Sequence, residues 1–281
     1  MKIAITADSV VDLTPQLISE YDIKIIPLNI LLGDVDYKDN QVSSNDIFEF
    51  VAKTGKLPKT SALSQFDYEE TFNKILTDYD KIIHFSLSSE MSVTHLNALN
   101  ASKQFDGNVE VIDSRSLSTG VGLQAIYARK LTETESDIKV IADKVRKRSN
   151  SVQASFVIED LDYLHKGGRC SSVALLAGKL LKIRPQIIVK DGKMGSYRKY
   201  RGPMVKCIKQ YCQDTLEEFC NFDKSVGFVT YSSATKEMVE VAKKALIDAG
   251  FEKVYETQAG GTISCHCGPN TLGILYYNDG E

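Results

Sequence analysis

Short apolar runs rich in β-branched residues alternate with amphipathic stretches through the first half of the chain. This alternation is typical of parallel strands joined by crossover helices. The pattern predicts strands at residues 2–7, 23–28, 81–87 and 109–112. It predicts helices that begin near Thr14, Glu90 and Thr119, with further helical segments at 45–52 and 66–76. We therefore expect a parallel sheet in this half.

The second half has a different pattern, with a strong local signal for a hairpin. Strands are predicted at 186–190 and 193–200, and the Asp191-Gly192 pair between them is a preferred two-residue hairpin turn. The other signals in this half predict strands at 152–158, 225–231, 273–277 and near Val254, and helices at 160–164, 203–219 and 235–249. A hairpin combined with crossover helices indicates a mixed α/β unit.

A polar run at residues 146–151 separates the two patterns. We therefore predict an α/β protein of two domains, residues 1–149 with a parallel sheet and residues 150–281 with a mixed α/β architecture. The total length of 281 residues suits this division, because domains most often contain roughly 100 to 150 residues.

Composition and charge argue against several classes of protein. The 34 Lys and Arg residues are outnumbered by 37 Asp and Glu residues, so no basic surplus exists to neutralise a nucleic acid. No segment approaches the roughly 18 apolar residues that a membrane helix needs, and we expect no membrane insertion. The six cysteines crowd into the last part of the chain without C-x-x-C spacing. We expect reduced thiols, a cytoplasmic location and no metal site.

Hydroxyl side chains follow three strands of the predicted parallel sheet, at residues 8–9, 86–89 and 113–116. Ligands of open parallel sheets bind beyond the carboxyl ends of the strands. The serine-rich segment 88–94 either binds an anion at the start of a helix or only caps that helix. The same alternatives hold for Thr60 and Ser61, because Ser61 or Ser64 could simply cap the helix predicted at 66–76.

The chain has four histidines, at positions 84, 95, 165 and 266. His84 and His95 fall inside predicted elements, where packing is the commoner role. His266 stands between Cys265 and Cys267. In an extended segment the two thiols would point away from the imidazole, which disfavours a shared metal ion.

An enzymatic alternative stays open at this point. A serine could act as a nucleophile with His266 as its base, and Asp8 and Asp113 are the loop carboxylates that could orient the imidazole. Residues 120–125, which begin at Gly120, match the loose dinucleotide-binding pattern G-x-G-x-x-A. Close helix packing explains the same glycines.

Seven motifs occur in order along the chain: residues 5–9 (ITADS), 60–61 (TS), 87–94 (LSSEMSVT), 111–114 (VIDS), 161–169 (LDYLHKGGR), 199–202 (KYRG) and 266–269 (HCGP). Together they resemble the DegV family over essentially the whole length of the chain. An ordered set of seven motifs is far more specific than any one of them.

The resemblance implies a two-domain fold that binds a long-chain, palmitate-like fatty acid in an apolar tunnel between the domains, without catalysis or a cofactor of its own. The hydroxyls of Thr60 and Ser92 would hold the carboxylate. The Val93 amide and the His266 imidazole would complete the network, and Ser61 would join it through water. Candidate walls of the tunnel are the helical patterns at 96–101 and 173–181, although ordinary core is the commoner role of such patterns.

The resemblance also implies a protein partner, a separate fatty acid kinase subunit that phosphorylates the carboxylate. Arg169 and Arg201 match basic positions suited to that docking or to the phosphate, and both could equally be solvated surface residues. The chain departs from the family pattern at Val93 and Asn270, where glycine is usual. A β-branched residue at Val93 would be strained if the loop required a positive φ.

Overall fold

The structure, a computed structural model, describes residues 1–170 and 183–280. Its strands, numbered in chain order, are β1 (Ile3–Asp8), β2 (Ile23–Ile26), β3 (Asn29–Leu32), β4 (Val35–Lys38), β5 (Lys59–Ser61), β6 (Lys81–Ser86), β7 (Val109–Asp113), β8 (Val152–Val157), β9 (Ile183–Lys190), β10 (Lys193–Arg201), β11 (Gly227–Tyr231), β12 (Val254–Gln258) and β13 (Leu272–Tyr277). Its α-helices are α1 (Pro15–Glu20), α2 (Ser44–Thr54), α3 (Gln65–Ile75), α4 (Thr94–Ser102), α5 (Thr119–Leu131), α6 (Ile138–Ser149), α7 (Leu161–Gly167), α8 (Met204–Glu218), α9 (Lys236–Asp248) and α10 (Gly261–Cys267). The predicted α/β class is confirmed.

A four-stranded parallel sheet in the order β2-β1-β6-β7 forms the centre of the first half. Ile5 of β1 pairs with Ile23 on one side and with Ile83 on the other. Every residue of β1 is buried, as expected for a parallel strand covered by helices on both faces. Because the strands are parallel, the carboxyl ends of β1, β6 and β7 meet at one edge, as predicted.

A small antiparallel sheet in the order β4-β3-β5, formed by the chain between β2 and β6, was not predicted. Its strand β5 has three residues and pairs Thr60 with Ile30 of β3. Strands this short do not show a recognisable alternation of apolar and polar positions. The sheet matters because it holds the Thr60 side chain in a fixed place.

The second half is built on a six-stranded mixed sheet in the order β10-β9-β8-β13-β11-β12. Among its described strands β11 and β12 are parallel, and the other neighbours are antiparallel. The predicted hairpin is confirmed as β9 and β10. Its turn residues Asp191 and Gly192 have φ values of 52° and 79°, which a type I′ turn requires.

Six of the ten α-helices in the described residues begin after a residue whose side chain caps them, and one predicted helix start needs correction. Ser64 caps α3, accepting a hydrogen bond from the backbone three residues on. The helix predicted to begin near Glu90 begins instead at Thr94. The backbone N–H of Ser92 donates to the carbonyl of Ser88, so the preceding segment forms a turn rather than the first turn of α4.

One apolar cluster joins the two halves of the chain. It includes Ile5 and Phe85 of the parallel sheet and Phe156 and Leu275 of the mixed sheet. A second cluster packs α8 and α9 on the opposite face of the mixed sheet. The domain boundary between 149 and 150 stays a prediction; it falls between the end of α6 and the start of β8.

No helix within the described ranges 1–170 and 183–280 combines the length and apolar character needed to cross a bilayer.

Candidate ligand-binding site

His266 lies on α10, a short helix that the sequence did not predict. We disfavoured a shared metal ion on the geometry of an extended segment at residues 265–267, and the structure has a helix there instead. The residue before this helix, Gly260, has no side chain with which to cap it. The hydrogen-bond partners of its first turn come instead from distant parts of the chain.

Two buried carboxylates of the first half bind the start of α10. The Gly260 N–H donates to Asp12 Oδ1 at 2.8 Å, and the Thr262 N–H donates to Asp39 Oδ1 at 3.0 Å. The second oxygens of these carboxylates accept hydrogen bonds from the hydroxyls of Ser118 and Ser9. Oxygen acceptors at the start of a helix satisfy its otherwise unpaired N–H groups, so these contacts fix the helix that carries His266.

The pKa of the Asp12 carboxyl group is strongly perturbed. Burial raises its pKa to about 8, and the neighbouring charge of Asp39 acts in the same direction. The hydrogen bonds from Ser118 and Gly260 oppose this effect only in part. Asp12 is therefore largely protonated in the folded protein near neutral pH.

The Thr60 hydroxyl lies 2.9 Å from Nε2 of His266. Burial lowers the pKa of His266 to about 4, with a further contribution from the charge of Arg169, so the imidazole is neutral near pH 7. Its other nitrogen, Nδ1, is buried and has no hydrogen-bond partner among the described residues. Gly167 allows this packing, because a Cβ at that position would lie 2.5 Å from Nδ1.

Ser92 lies in the turn before α4. Its Oγ accepts a hydrogen bond from the Thr94 N–H at 3.2 Å. Within the described part of the chain, its hydroxyl proton has no acceptor. Ser92 therefore accepts a hydrogen bond from the first residue of α4 and still has a donor available, while the N-cap residue Val93 provides no side-chain cap.

Thr60, Ser92 and His266 line one small cavity between the two halves. Its lining also includes Leu28, Ser61, Ala62, Leu87, Met91, Leu117, Arg169, Met194, Thr262, Ile263 and Cys267. The cavity has a volume of about 50 Å³, and a second lobe of about 30 Å³ shares Leu117, Ile263 and Cys267 with it. Phe156 and Leu275 line only the second lobe, together with the hydroxyl-bearing residues Ser118, Thr230, Tyr231, Ser232 and Thr271. The surface exposed to both lobes is mostly apolar, and Thr60, Ser61 and Ser92 line only the first lobe.

Of the other four predicted site residues, two line the cavity and two do not. Ser61 and Arg169 are exposed and also line the cavity. The Arg169 guanidinium donates to the carbonyl of Gly167 at 2.6 Å. Val93 has an exposed side chain outside the lining, and Arg201 is an exposed residue at the end of β10 that lines neither lobe.

The residues named for an enzymatic site are not brought together with His266. The Asp8 carboxylate is buried and accepts hydrogen bonds from Tyr68 and Leu87. Asp113 accepts its side-chain hydrogen bond from Ser89. A Cβ on Gly120 would lie 2.2 Å from Ser116 Oγ, so close packing explains that glycine.

One of the two helical patterns that we expected to wall a tunnel lies away from both lobes of the cavity. Residues 96–101 of α4 do not line either lobe, and Leu99 instead borders an open cleft of about 1080 Å³ between α4 and the mixed sheet. The pattern at 173–181 lies outside the described residues. A residue that the sequence did not single out, Thr262, lines the cavity one helical turn before His266. Helical spacing would have identified it, had α10 been recognised.

Across residues 1–170 and 183–280, no group of three or more His, Cys, Asp or Glu side chains could hold a metal ion.

Comparison with known proteins places these features in a family. The profile described as "Uncharacterised protein, DegV family" matches residues 2–279. The chain belongs to the DegV family. The resemblance drawn from the seven sequence motifs is thereby confirmed.

Relatives of this DegV chain include proteins named for lipid binding. It is 30% identical over 289 residues to a fatty acid-binding protein of Thermotoga maritima, covering 98% of this chain and 97% of that protein. A solved DegV lipid binding protein of Thermotoga maritima is 29% identical, with a TM-score of 0.87 and coverage of 99% and 98%. A DegV family protein of Thermus thermophilus, 24% identical with 99% coverage of both chains and a TM-score of 0.89, shows the same fold.

The backbone angles at Val93 and Asn270 show how the structure accommodates these two departures from the DegV motifs. Val93 has a φ of −75°, so the strain expected for a β-branched residue does not arise. Asn270 has a φ of 54°, a conformation in which Asn is more common than most other residues. Its side-chain amide donates to Glu159 at 2.6 Å, which holds it there.

Proposed function

We propose that this protein binds a long-chain fatty acid, with its carboxylate at Thr60 and Ser92 and its tail along the apolar lobes. The observation that carries this proposal is the convergence of two hydroxyls and one neutral imidazole on a single cavity. Thr60, Ser92 and His266 come from three separate segments: β5, the turn before α4, and α10. Polar groups gathered in the first lobe and a mostly apolar surface beyond them suit an amphiphile.

The chemistry of the head group determines the direction of the hydrogen bonds. A carboxylate only accepts, so both hydroxyls must donate to it. For Thr60 to do so, the imidazole of His266 must donate its Nε2–H to the Thr60 oxygen. Ser61 joins the network through water, and the Val93 N–H supplies a backbone donor.

Neutral donors suit a carrier protein. Hydrogen bonds to a charged group are worth about 1.5 to 3 kcal/mol each. Thr60 and Ser92 can therefore orient the carboxylate without the desolvation cost of a fully buried ion pair. The carboxylate also stays chemically accessible at the mouth formed by Ser61 and Arg169.

The tail supplies most of the binding free energy. Each buried methylene contributes about 0.8 kcal/mol, so a palmitate-like chain gains roughly 10 kcal/mol before ordering costs. The two lobes are smaller than the 300–1,000 Å³ typical of ligand pockets. The tail must therefore separate the walls at Leu117, Ile263 and Cys267, where the lobes meet.

The names of relatives support the same ligand class. The 30% identical protein of Thermotoga maritima is called a fatty acid-binding protein. A solved protein structure from that organism, 29% identical with a TM-score of 0.84, is described by its fatty acid binding function. Both match nearly the whole of this chain.

The proposal includes a partner, a separate fatty acid kinase subunit that converts the bound carboxylate to an acyl phosphate. Arg169 lies at the cavity and is suited to a phosphoryl group, whereas Arg201 is away from it and is suited to protein docking. The protein then acts as a carrier without catalysis of its own, in the cytoplasm where ATP is available.

The experiment that tests ligand binding is mass spectrometry of the organic extract from protein purified under native conditions. We expect one fatty acid per chain, and the spectrum gives the tail length directly. An extract that stays empty after incubation with acyl chains of several lengths would contradict the proposal.

The partner is tested by mixing the palmitate-loaded protein with a purified bacterial fatty acid kinase and ATP. We expect acyl phosphate formation that requires this protein, and weaker formation with Arg169→Ala or Arg201→Ala. Equal formation when this protein is omitted would contradict the carrier role.

A further inference from the structure

A buried hydrogen-bonded chain lies behind the turn that carries Ser92. Oδ1 of Asp8 accepts the Tyr68 hydroxyl at 2.6 Å, and Oδ2 accepts the Leu87 N–H at 3.0 Å. The Tyr68 oxygen also lies 2.6 Å from the Thr94 hydroxyl. Asp8, Tyr68 and Thr94 are all fully buried.

These contacts hold both ends of the segment that contains Ser92. Leu87 is the first residue after β6, and Thr94 is the first residue of α4. The phenol of Tyr68 and the carboxylate of Asp8 connect these two residues through three hydrogen bonds. The span from Leu87 to Thr94 is therefore closed into a loop by side chains of β1 and α3.

The direction of the hydrogen bonds in this chain is determined. Burial raises the pKa of Tyr68 well above its usual value, so the phenol keeps its proton and donates it to Asp8. The Thr94 hydroxyl then donates to the Tyr68 oxygen. His84 lies beside the same carboxylate, with Nε2 at 3.5 Å from Asp8 Oδ1.

Core packing alone does not account for this arrangement. Burying a carboxylate and a phenol costs free energy that an apolar pair of similar volume would not. The gain is geometric, because directional hydrogen bonds fix the ends of a turn that apolar contacts would hold less specifically. Ser92, two residues before Thr94, lines the cavity and is the polar residue of this segment that does so, beside Leu87 and Met91.

We infer that Tyr68 and Asp8 are positioning residues, which set the Ser92 hydroxyl at the distance and angle that a ligand carboxylate needs. This inference rests on the proposed function, because Ser92 is taken to bind the fatty acid head group. Neither Tyr68 nor Asp8 lines the cavity, so their effect on the ligand passes through the turn.

The test compares Tyr68→Phe with Tyr276→Phe. Both tyrosines are fully buried, and each variant removes one hydroxyl without changing the ring. The Tyr276 hydroxyl donates to the carbonyl of Phe219 at 3.1 Å in the second apolar cluster, away from the site. We expect both variants to lose a similar amount of stability in urea. Only Tyr68→Phe should release bound palmitate faster, by about tenfold.

A double-variant cycle separates positioning from a general loss of stability. In a Ser92→Ala background, adding Tyr68→Phe should change palmitate release by less than about twofold. Equal acceleration by Tyr276→Phe, or a Tyr68→Phe effect that persists without the Ser92 hydroxyl, would overturn the inference. Asp8→Asn serves as a second variant and should behave as Tyr68→Phe does.

Backbone hydrogen exchange distinguishes failure of this inference from failure of the proposed function. Without any ligand, Tyr68→Phe should speed amide exchange in residues 87–94 by about tenfold, and Tyr276→Phe should leave that segment unchanged. Exchange can respond in this way although the wild-type protein holds no fatty acid. That result would support the positioning of the turn by Tyr68 and would contradict the assignment of Ser92 to a head-group site. If exchange does not respond, the inference itself is wrong.

Discussion

The Thr60 hydroxyl and Nε2 of His266 are 2.9 Å apart in space and 206 residues apart in sequence. Thr60 belongs to the three-residue strand β5 of the first half, and His266 belongs to α10 of the second. The site therefore exists only where the two halves meet. Asp12 and Asp39 hold this meeting point, because they bind the start of α10 from the first half.

Removal of the two proposed head-group hydroxyls should weaken fatty acid binding without unfolding the protein. We expect the double variant Thr60→Val, Ser92→Ala to raise the dissociation constant for palmitate by about 100-fold, since it removes two hydrogen bonds to a charged group. Fluorescent fatty acid displacement measures this change.

A matched control for that variant is Thr235→Val combined with Ser43→Ala. These hydroxyls cap α9 and α2, outside the cavity, and their loss costs about 1 kcal/mol of stability each. The control should keep its affinity for palmitate. Equal weakening in both double variants would show that stability, rather than the head-group contact, controls binding.

Acidification should destabilise the protein through His266. The unfolded chain protonates this imidazole near pH 6.5, whereas the folded chain keeps it neutral until about pH 4. The free energy of unfolding therefore falls as pH drops through that window. Between pH 7.5 and 5, wild type should lose about 2 kcal/mol more than His266→Gln in urea denaturation. Parallel losses in the two proteins would contradict the lowered pKa.

The Asp12 carboxyl gives the opposite dependence on pH. Its folded pKa of about 8 lies above its unfolded value, so the folded state holds a proton that the unfolded state releases. Stability from this group is lost as pH rises toward 8. Between pH 5 and 8, wild type should lose on the order of 3 kcal/mol more than Asp12→Asn. Calorimetric unfolding at several pH values checks this, and identical profiles would show that Asp12 is ionised in the folded protein.

The sequence predicts those parts of the fold whose signals are local. The strand β1 and the Asp191-Gly192 hairpin turn depend on residues adjacent in the chain, and both are found where they were predicted. The cap of α3 is local too, and of the two candidates, Ser61 and Ser64, it is Ser64. The two missed elements of the site, β5 and α10, depend on distant partners. β5 is held by pairing with β3, and α10 by the carboxylates of Asp12 and Asp39.

Local sequence signals were also insufficient to predict how the residues of the candidate site come together. Spacing alone indicated hydroxyls at strand ends, but it could not bring Thr60 and Ser92 to the same cavity as His266. The ordered motifs supplied that grouping. The turn after Ser88 gives Val93 a negative φ. The loss of the usual glycine from this motif therefore does not cause the backbone strain that we expected.

Replacement of Val93 by glycine provides a test of the backbone contact. Because Val93 has a right-handed backbone conformation and an exposed side chain, Val93→Gly should cost about 0.5 to 1 kcal/mol of stability through backbone entropy. The N–H is unchanged, so palmitate affinity should stay within about twofold of wild type. A large gain in affinity would mean that the bound turn requires a positive φ.

The most direct test of the account is a crystal structure of the protein with bound palmitate. We predict carboxylate oxygens within about 3 Å of Thr60 Oγ1 and Ser92 Oγ, and a tail that passes Leu117 and Ile263 toward Leu275. Palmitate in the open cleft beside Leu99, with Thr60 and Ser92 contacting only protein, would contradict the account.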